Sequence, residues 1–513
     1  MTREKTSNRT VNTKRNSIYG LLQVAVSLLF PFIVRTILIY RFGEDYLGLN
    51  SLFSSILGVL SLMELGFSTA VVYSLYKPVA YNDIDQICAF LAYYKKIYRV
   101  IGLAVMATGL LLMPFLKSLI HDSTLPNDLN LYVCYLIFLG NAVISYLFYG
   151  YLTIIPTAYQ RKDILSRVDM GMTLMKCSLQ VLVLFFTHYF YLFFVPMLVV
   201  TVLRNLIIML IVKTYYPDLK CKGTISKEQK KDLTKKVYGL LINKLTNVSR
   251  NSIDYICISA FIGLSVTGRY ANYFFVLIAL TAFSITICNS MMASVGNSIA
   301  IESRNKNYID MRLFDYIYMA ISGWATVCLV CLYQPFISTW LGDKMLLESS
   351  VAIGLSAYFY ILKAGDIRWV YHEGAGLWYE CRFIMLGEVI ANIILNIVLC
   401  KLMGVFGIVL ATLISVFATN CLFCPWLIFN VYFKNKKLME YWSDHACYAG
   451  TMIISCVLSL LICKEMFYGT GIAVLTGRLI VCSVTSIVVF WLMWNRSNRY
   501  KRALQWMKGF VNA

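Results

Sequence analysis

Four ionisable residues interrupt two long apolar segments of this chain and are the first candidates for chemistry. Arg35 interrupts the first segment, and Lys244, Arg250 and Asp254 interrupt the second. A charge inside a membrane-spanning helix is costly, so such residues usually face protein or water and often have a function. Lys and Arg bind phosphate oxygens, and Arg does so with two parallel hydrogen bonds. We therefore expect the three cations either to bind an anionic headgroup or to form ion pairs and reach the membrane surface.

Both segments, residues 16–42 and 235–261, are long enough to span a membrane and place polar residues at steps of about four. This spacing puts the polar residues on one helix face. They are Gln23, Ser27, Pro31 and Arg35 in the first segment, and Asn243, Asn247, Asn251 and Asp254 in the second. We expect Asn247 and Asp254 to line a binding site. Because Arg35 and Asp254 occupy matched depths, we also expect them to pair when the external side is closed.

A repeat extends beyond these two segments. The sequence Tyr-Gly-Leu-Leu begins at Tyr19 and again at Tyr238, an offset of 219 residues. Further matches are Gly48 with Gly268 at 220, Pro114 with Pro335 at 221, and Tyr159 with Tyr379 at 220. Four matches in one order at nearly one offset indicate a duplicated half. Duplicated halves are typical of membrane transporters, in which the substrate path lies between them.

The composition places the chain among polytopic α-helical membrane proteins. It has 513 residues, of which 59% are hydrophobic and 14% charged, whereas soluble domains have about 45–50% apolar and about 25% charged residues. The net charge of +20 comes from Lys and Arg that flank the apolar runs. Such residues set membrane topology, so nucleic-acid binding is not expected.

We predict fourteen transmembrane helices with both termini in the cytoplasm, because Lys and Arg gather in the two tails and in the 213–236 loop. The spans lie near 17–40, 47–74, 97–119, 130–154, 168–187, 191–212, 237–261, 270–296, 310–333, 349–371, 383–402, 405–430, 446–463 and 472–494. The predicted domains are a six-helix bundle (1–213), a cytoplasmic linker (214–236), a second six-helix bundle (237–433), and helices 13 and 14 with a tail (434–513). The two bundles enclose a central cavity in this prediction. The linker is either flexible or a surface helix.

Small polar residues form a stripe along span 2. They are Asn50, Ser54, Gly58, Ser61 and Ser68. Such a stripe either binds sugar hydroxyls, with Asn50 as a substrate contact, or allows close helix packing. In span 1, Pro31 removes a backbone donor and should kink the helix, either as a hinge or as a static bend.

Carboxylates inside the spans are candidates for coupling and gating. Glu64 lies toward the cytoplasmic end of span 2 and Glu388 near the start of span 11. Each either binds H⁺ or Na⁺ or is a fixed partner of a cation such as Lys176 or Arg204. Asp366 clusters with two cations, Lys363 and Arg368, at the end of span 10, where we expect an interfacial gate or plain anchoring.

Neither a metal site nor a bound cofactor is expected from the sequence. Most of the 16 cysteines lie in apolar runs, where Cys is a small hydrophobic residue. Cys328–Cys331 and Cys421–Cys424 have CxxC spacing but lie in predicted spans without a nearby His. No P-loop motif is present, which leaves an ion or substrate gradient as the energy source.

Three runs in residues 43–80 carry a family resemblance. Leu-Gly-Leu-Asn-Ser-Leu-Phe (47–53), Glu-Leu-Gly-Phe-Ser-Thr-Ala (64–70) and Tyr-Ser-Leu-Tyr-Lys-Pro (73–78) resemble bacterial polysaccharide transporters. More narrowly, they resemble Wzx-type O-antigen and capsule flippases of the multidrug/oligosaccharidyl-lipid/polysaccharide exporter superfamily. The resemblance implies two bundles in a V shape around a cavity lined by spans 1, 2, 7 and 8.

The resemblance also implies a function, which is the flipping of undecaprenyl-diphosphate-linked oligosaccharide from the cytoplasmic to the periplasmic leaflet of the inner membrane. The partners would be this lipid, the membrane lipids and other glycan-assembly proteins. One alternative is a multidrug exporter of the same superfamily, which a cationic cavity disfavours. The other is a membrane glycan polymerase or glycosyltransferase, which would need an acidic catalytic loop or a sizeable external loop, and neither is visible in the sequence.

Overall fold

The computed structural model describes residues 9–64, 66–121, 129–187, 189–434 and 438–511. Every regular element within these ranges is a helix, and no β-strand occurs there. Nine of the described helical stretches are long and apolar enough to cross a membrane, and a bent helix pair makes a tenth if it forms one span. The predicted all-α, polytopic membrane class is therefore confirmed.

The first of two compact units comprises Met1–Gly268. Its helices are α1 (Arg9–Phe42), α2 (Glu44–Leu60), α3 (Phe67–Ala80), α4 (Ile84–Leu112), α5 (Leu131–Leu147), α6 (Ile154–Ala158), α7 (Lys162–Phe186), α8 (Val195–Tyr215), α9 (Lys227–Val248) and α10 (Asp254–Phe261). Helix α1 packs mainly against α7, and α2 packs against α5 and α10. The contact between α2 and α10 joins span 2 of the prediction to span 7, and span 1 lies in the same unit.

The second unit comprises Arg269–Ala513. Its helices are the remainder of α11 (Leu264–Ile301), α12 (Arg304–Leu341), α13 (Ser349–Lys363), α14 (Asp366–Gly374), α15 (Arg382–Phe417), α16 (Cys424–Ile428), α17 (Leu438–Met466), α18 (Ile472–Trp494) and α19 (Asn498–Val511). Helix α12 packs against α13, α17 and α18. The C-terminal α19 docks on this unit through Trp506, whose ring centroid lies 5.7 Å from that of Phe314.

Several predicted spans are interrupted helices. Span 2 breaks between α2 and α3 at Gly66, which has φ 106°. Span 4 bends by 59° between α5 and the Gly150–Ala158 stretch, beside Tyr149 with φ 56°. Span 10 breaks between α13 and α14 at Gly365, and span 7 contains a π-helical turn, Ser249–Ile253. Hydropathy predicts the length of an apolar run, but these breaks depend on backbone dihedral angles that it does not report.

Glycine explains two of these breaks. Gly66 occupies a positive-φ conformation that costs a residue without Cβ almost nothing. At Gly365 an added Cβ would lie 2.9 Å from Cγ of Asn420, so only glycine allows this close approach. A third glycine, Gly404 with φ 60°, kinks α15 where the sequence predicts the boundary of spans 11 and 12.

The second half of the predicted linker is helical. Ser226 caps α9 by accepting a hydrogen bond from the Gln229 backbone, and the Gln229 side chain accepts one from the Ser226 backbone. This capping box fixes the start of the helix. Helix α9 then runs without interruption from the Lys-rich segment into span 7, so residues 227–236 are helical.

Two glycines matched by the repeat pack reciprocally. A Cβ on Gly48 would overlap the carbonyl of Leu264, and a Cβ on Gly268 would overlap the carbonyl of Glu44. Leu264 follows Glu44 by 220 residues, just as Gly268 follows Gly48. Each segment thus contributes the same two positions to one contact, as in an interface around a twofold axis. This geometry supports the predicted duplication.

Candidate functional site

The π-helical turn Ser249–Ile253 divides the polar face predicted for span 7. A π turn holds more residues than an α turn, so it rotates the residues after it relative to those before it. Lys244 and Asn247, before the turn, have exposed side chains, whereas Asp254, just after it, is buried with 2% exposure. Asn251, within the turn, is exposed like Asn247, so Asp254 is the buried member among the described residues of this predicted face. The side chain of Asn243 lies outside the described residues.

The cations of the first unit are accessible to different degrees. Lys244 is exposed, and Arg35 and Arg250 are half-buried. Arg35 lies one helical turn after Pro31 within α1, which continues through the proline as a helix. Lys244 is therefore open to its surroundings, whereas Arg35 and Arg250 are partly enclosed by protein.

Tyr255 connects Arg35 with the start of α10. It follows Asp254 in the chain, is buried with 9% exposure, and interacts electrostatically with both Arg35 and Asp254. The structure therefore brings Arg35 of span 1 close to the part of span 7 that carries Asp254. The sequence analysis did not identify Tyr255, which has no distinguishing signal in an apolar run rich in aromatic residues.

Glu64 lies at the break between α2 and α3 and contacts tyrosines. The Tyr98 hydroxyl donates a hydrogen bond of 3.2 Å to Oε1 of Glu64, and Tyr146 is a second hydrogen-bond partner. The Tyr94 and Tyr98 rings pack at 5.1 Å, as do those of Tyr98 and Tyr146. The Glu64 side chain is half-buried against this cluster. Two phenol donors can hold a carboxylate in place and share its proton.

The alternative that Glu64 is the fixed partner of Arg204 is wrong. Arg204 Nε lies 2.6 Å from Asp169 Oδ1 and forms an ion pair with it. Asp169 lies about two turns before Lys176 on α7, and the sequence analysis had considered Lys176 as the other partner. Tyr94 and Tyr98 on α4 could have been noticed as an i, i+4 pair in an apolar helix.

The stripe on span 2 serves partly in packing. A Cβ on Gly58 would lie 2.7 Å from the Ser252 hydroxyl, so α2 approaches the π turn closely at this point. The Ser54 hydroxyl donates to the Asn50 carbonyl at 2.8 Å, and the Ser61 hydroxyl donates to the Gly58 carbonyl at 2.8 Å. The Asn50 side chain is half-buried, so it remains a candidate contact for substrate.

The cations around Asp366 in the second unit are buried. Lys363 Nζ lies 2.6 Å from Asp366 Oδ2, and the Tyr318 hydroxyl donates to the same oxygen at 2.5 Å. Arg368 donates to the Asn420 carbonyl and, at 3.5 Å, to the Tyr441 hydroxyl. Lys363 and Arg368 are 1% and 2% exposed. Plain anchoring at the membrane surface is therefore wrong for both cations.

Glu388 is buried on α15 with 4% exposure. It lies in the second unit together with other buried polar residues of the same helix, among them Asn392 and Asn396. Asn392 donates 3.1 Å and 3.3 Å hydrogen bonds to Thr412 and Ser415 on the same helix after its kink. These hydrogen bonds thus connect the part of α15 before the Gly404 kink with the part after it.

Comparisons with known proteins identify the fold. No protein-family model matches the sequence, and no characterised protein matches it closely in sequence. The lipid II flippase MurJ in its inward closed conformation is similar in structure, with a TM-score of 0.67 and 13% identity over 94% of this chain and 98% of that one.

Two transporters are also similar. The inward-facing form of a multidrug resistance MATE family transporter of the MOP superfamily has a TM-score of 0.63 and 12% identity over 80% of this chain and 97% of that one. The eukaryotic MATE transporter AtDTX14 has a TM-score of 0.57 and 12% identity over 85% and 99%. This chain is therefore a multi-pass membrane protein with the fold that the lipid II flippase MurJ shares with the MATE transporters of the MOP superfamily.

Proposed function

We propose that this chain is a flippase for a lipid-linked oligosaccharide. It moves undecaprenyl-diphosphate-linked O-antigen or capsule repeat units from the cytoplasmic to the periplasmic leaflet by alternating access. The observation that carries this proposal is the length of the match to MurJ. The match to MurJ covers 94% of this chain. The residues left unmatched are fewer than those of α17 (29 residues) and α18 (23 residues) together, so the match extends into these two helices. The match to the inward-facing MATE transporter covers 80% of this chain.

The cations of the first unit favour an anionic substrate. Arg35, Lys244 and Arg250 keep access to their surroundings, and guanidinium groups bind a diphosphate through paired hydrogen bonds. Asn50 and Asn247 supply donors and acceptors for sugar hydroxyls. In this proposal Asp254 competes with the diphosphate for Arg35, so that binding of the lipid frees the two helices to move apart.

Transport is coupled to H⁺ or Na⁺ in this proposal. Glu64 with its tyrosine partners and the buried Glu388 are the coupling sites, and Pro31 and Asp366 are positions where helices bend or lock. No nucleotide is required, and the chain is not an enzyme. The proposed location is the bacterial inner membrane, with both termini in the cytoplasm and other glycan-assembly proteins as partners.

Reporter fusions test the proposed topology. Fusions after Arg15, within residues 222–230 and after Arg502 should report the cytoplasm, because Lys and Arg cluster around these positions. Fusions within 342–347 and within 122–128 should report the outside. Residues 122–128 lie outside the described residues. An external signal from 222–230 would mean that the two halves run in opposite directions.

A second candidate is export of drugs, which the MATE matches favour. The two functions differ in the charge of the substrate. Multidrug export of organic cations would use carboxylates, whereas flipping of a lipid diphosphate uses Arg35 and its neighbours.

The deciding experiment uses purified protein in proteoliposomes. Flipping of a fluorescent undecaprenyl-diphosphate-linked oligosaccharide should occur in the native protein and fall at least about tenfold in Arg35→Ala, the loss of about 1.4 kcal/mol of binding. Arg41→Ala is the matched control, since Arg41 is an exposed arginine at the end of the same helix. Uptake of a cationic dye without flipping of the lipid would establish the exporter instead.

A further inference from the structure

Three cysteines from three helices meet in the second unit. They are Cys331 on α12, Cys463 on α17 and Cys482 on α18, and their sulfur atoms all lie within 4.8 Å of one another. Their exposures are 2%, 1% and 0%. In the part of the chain that the structure describes, this is the one group of three His, Cys, Asp or Glu side chains arranged to hold a metal ion.

The surroundings of the three thiols are rich in sulfur. Cys328 and Cys456 belong to the same buried cluster, and the sulfur atoms of Cys456 and Met452 lie 3.6 Å apart. One hydroxyl, that of Ser459, hydrogen-bonds with Cys482. Hard ions such as Mg²⁺ and Ca²⁺ take oxygen ligands, whereas thiolates select soft ions such as Cu⁺ and Zn²⁺.

The geometry suits three ligands around one ion. Metal–thiolate bonds of about 2.3 Å place three sulfur atoms in a trigonal plane about 4 Å from one another. The thiols lie within 4.8 Å of one another before any ion is bound, so rotation of side chains closes the difference. The helices need not move.

A cation compensates for the charge of the site. Arg478 on α18 donates to the carbonyl of Cys331 at 3.3 Å and to that of Phe467 at 3.1 Å. Its Nε is buried and has no hydrogen-bond partner. One monovalent ion with two thiolates and one neutral thiol carries a charge of −1, which Arg478 balances. A neutral total is what a site among membrane-spanning helices requires.

We propose that Cys331, Cys463 and Cys482 bind one Cu⁺ ion. Two thiols lose their protons to solvent and become thiolate ligands, the third binds as a neutral thiol, and no electron is transferred. The ion joins α12 to α17 and α18, and so fixes the two helices outside the repeat to the second bundle. This site is independent of the proposed transport function and was not predicted from the sequence, because the three residues have no common motif.

The test is a Cu⁺ titration of the purified full-length protein in detergent without oxygen, in competition with bicinchoninate. The native protein should retain one equivalent. Cys482→Ser should weaken binding by more than the roughly 100-fold that changes outside the ligand shell cause. The control is Cys381→Ser, because Cys381 and Cys424 have sulfur atoms 3.6 Å apart but no third described ligand joins them.

Two further measurements test the Cu⁺ site if Cys482→Ser does not fold. Cys463→Met retains a soft sulfur donor and should lose less Cu⁺ affinity than Cys463→Ser. Mass spectrometry after alkylation should find all three thiols reduced in protein purified anaerobically. A disulfide between two of them, or equal Cu⁺ binding by the native protein and both Cys463 variants, would overturn the site.

Discussion

Two groups of cations, one around Arg35 in the first unit and one around Asp366 in the second, are held in different ways. In the first unit, α2 and the start of α11 pack backbone to backbone through Gly48 and Gly268, and cations such as Arg35 and Lys244 keep some exposure. In the second unit, the two cations beside Asp366 are buried: Lys363 pairs with Asp366, and Arg368 donates to the Asn420 carbonyl and the Tyr441 hydroxyl. Both units contain Lys and Arg within apolar runs, so residue type alone does not separate a ligand-binding cation from a structural one. Exposure separates them.

Further ion pairs of the second unit lie between its helices. Arg312 on α12 pairs with Glu440 at 3.0 Å and with Asp444, and Arg499 at the start of α19 pairs with the same Asp444. Nε2 of His445 lies 2.9 Å from an oxygen of Asp315. These pairs connect α12, α17 and α19, so the ionic groups of this region fasten helices together.

The largest expected effect is on the stability of the second unit. Lys363→Ala leaves the partly buried carboxylate of Asp366 without its cation, which should cost up to about 3–5 kcal/mol of unfolding free energy. Denaturant unfolding of the purified protein in detergent measures it. Lys344→Ala, an exposed lysine of the same unit, should change stability by less than about 0.5 kcal/mol. Equal effects of the two variants would show that the buried pair does not fasten this unit.

The second prediction concerns the glycine contact of the first unit. Gly48→Ala and Gly268→Ala each place a methyl group against a carbonyl of the other segment, and such overpacking should cost about 1–3 kcal/mol. Gly171→Ala is the control, because a Cβ there meets nothing within 4 Å. It should be neutral or stabilising by up to about 1 kcal/mol, since Ala favours a helix over Gly. A stable Gly48→Ala protein would contradict the close packing.

The third prediction asks whether Arg35 and Asp254 act together. Arg35→Ala, Asp254→Ala and the double variant form a double-mutant cycle, with cysteine accessibility at the external end of α1 as the measurement. Residues in one charged network usually show a coupling energy of about 0.5–3 kcal/mol. We expect about 1 kcal/mol, and only Arg35→Ala should also weaken binding of the lipid diphosphate. Additive effects of the two changes would remove the proposed gate and leave Arg35 as a binding cation alone.

The smallest expected effect is that of Glu64→Gln. This change keeps the shape of the side chain and its contact with Tyr98 but removes the ionisable group, so flipping should lose its dependence on the H⁺ or Na⁺ gradient. The neutral Gln amide accepts a weaker hydrogen bond from Tyr98 than the carboxylate does. This weakening is worth about 1 kcal/mol, which corresponds to a several-fold decrease in the rate of flipping. Glu228→Gln, at an exposed position of α9, should keep the native dependence. If collapsing the gradients and Glu64→Gln both leave flipping unchanged, Glu64 is a structural partner of its tyrosines.

The sequence by itself determined the all-α, polytopic membrane class, and it predicts fourteen spans and a duplicated half. These properties follow from composition and from the length of each run, because a membrane requires about 20 consecutive apolar residues for each helical span. The matched glycines at an offset of 220 residues also predicted a repeat, which the reciprocal contact of Gly48 and Gly268 supports.

Only the tertiary structure decided which polar residues share a site. The π turn Ser249–Ile253 moved Asp254 off the face of Asn247, because helical periodicity assumes one constant number of residues per turn. Glu64 met tyrosines of α4 and α5 and not Arg204, and the three thiols came from positions up to 151 residues apart. Contacts of this kind depend on how separate helices pack, and the periodicity of a single helix carries no information about its neighbours.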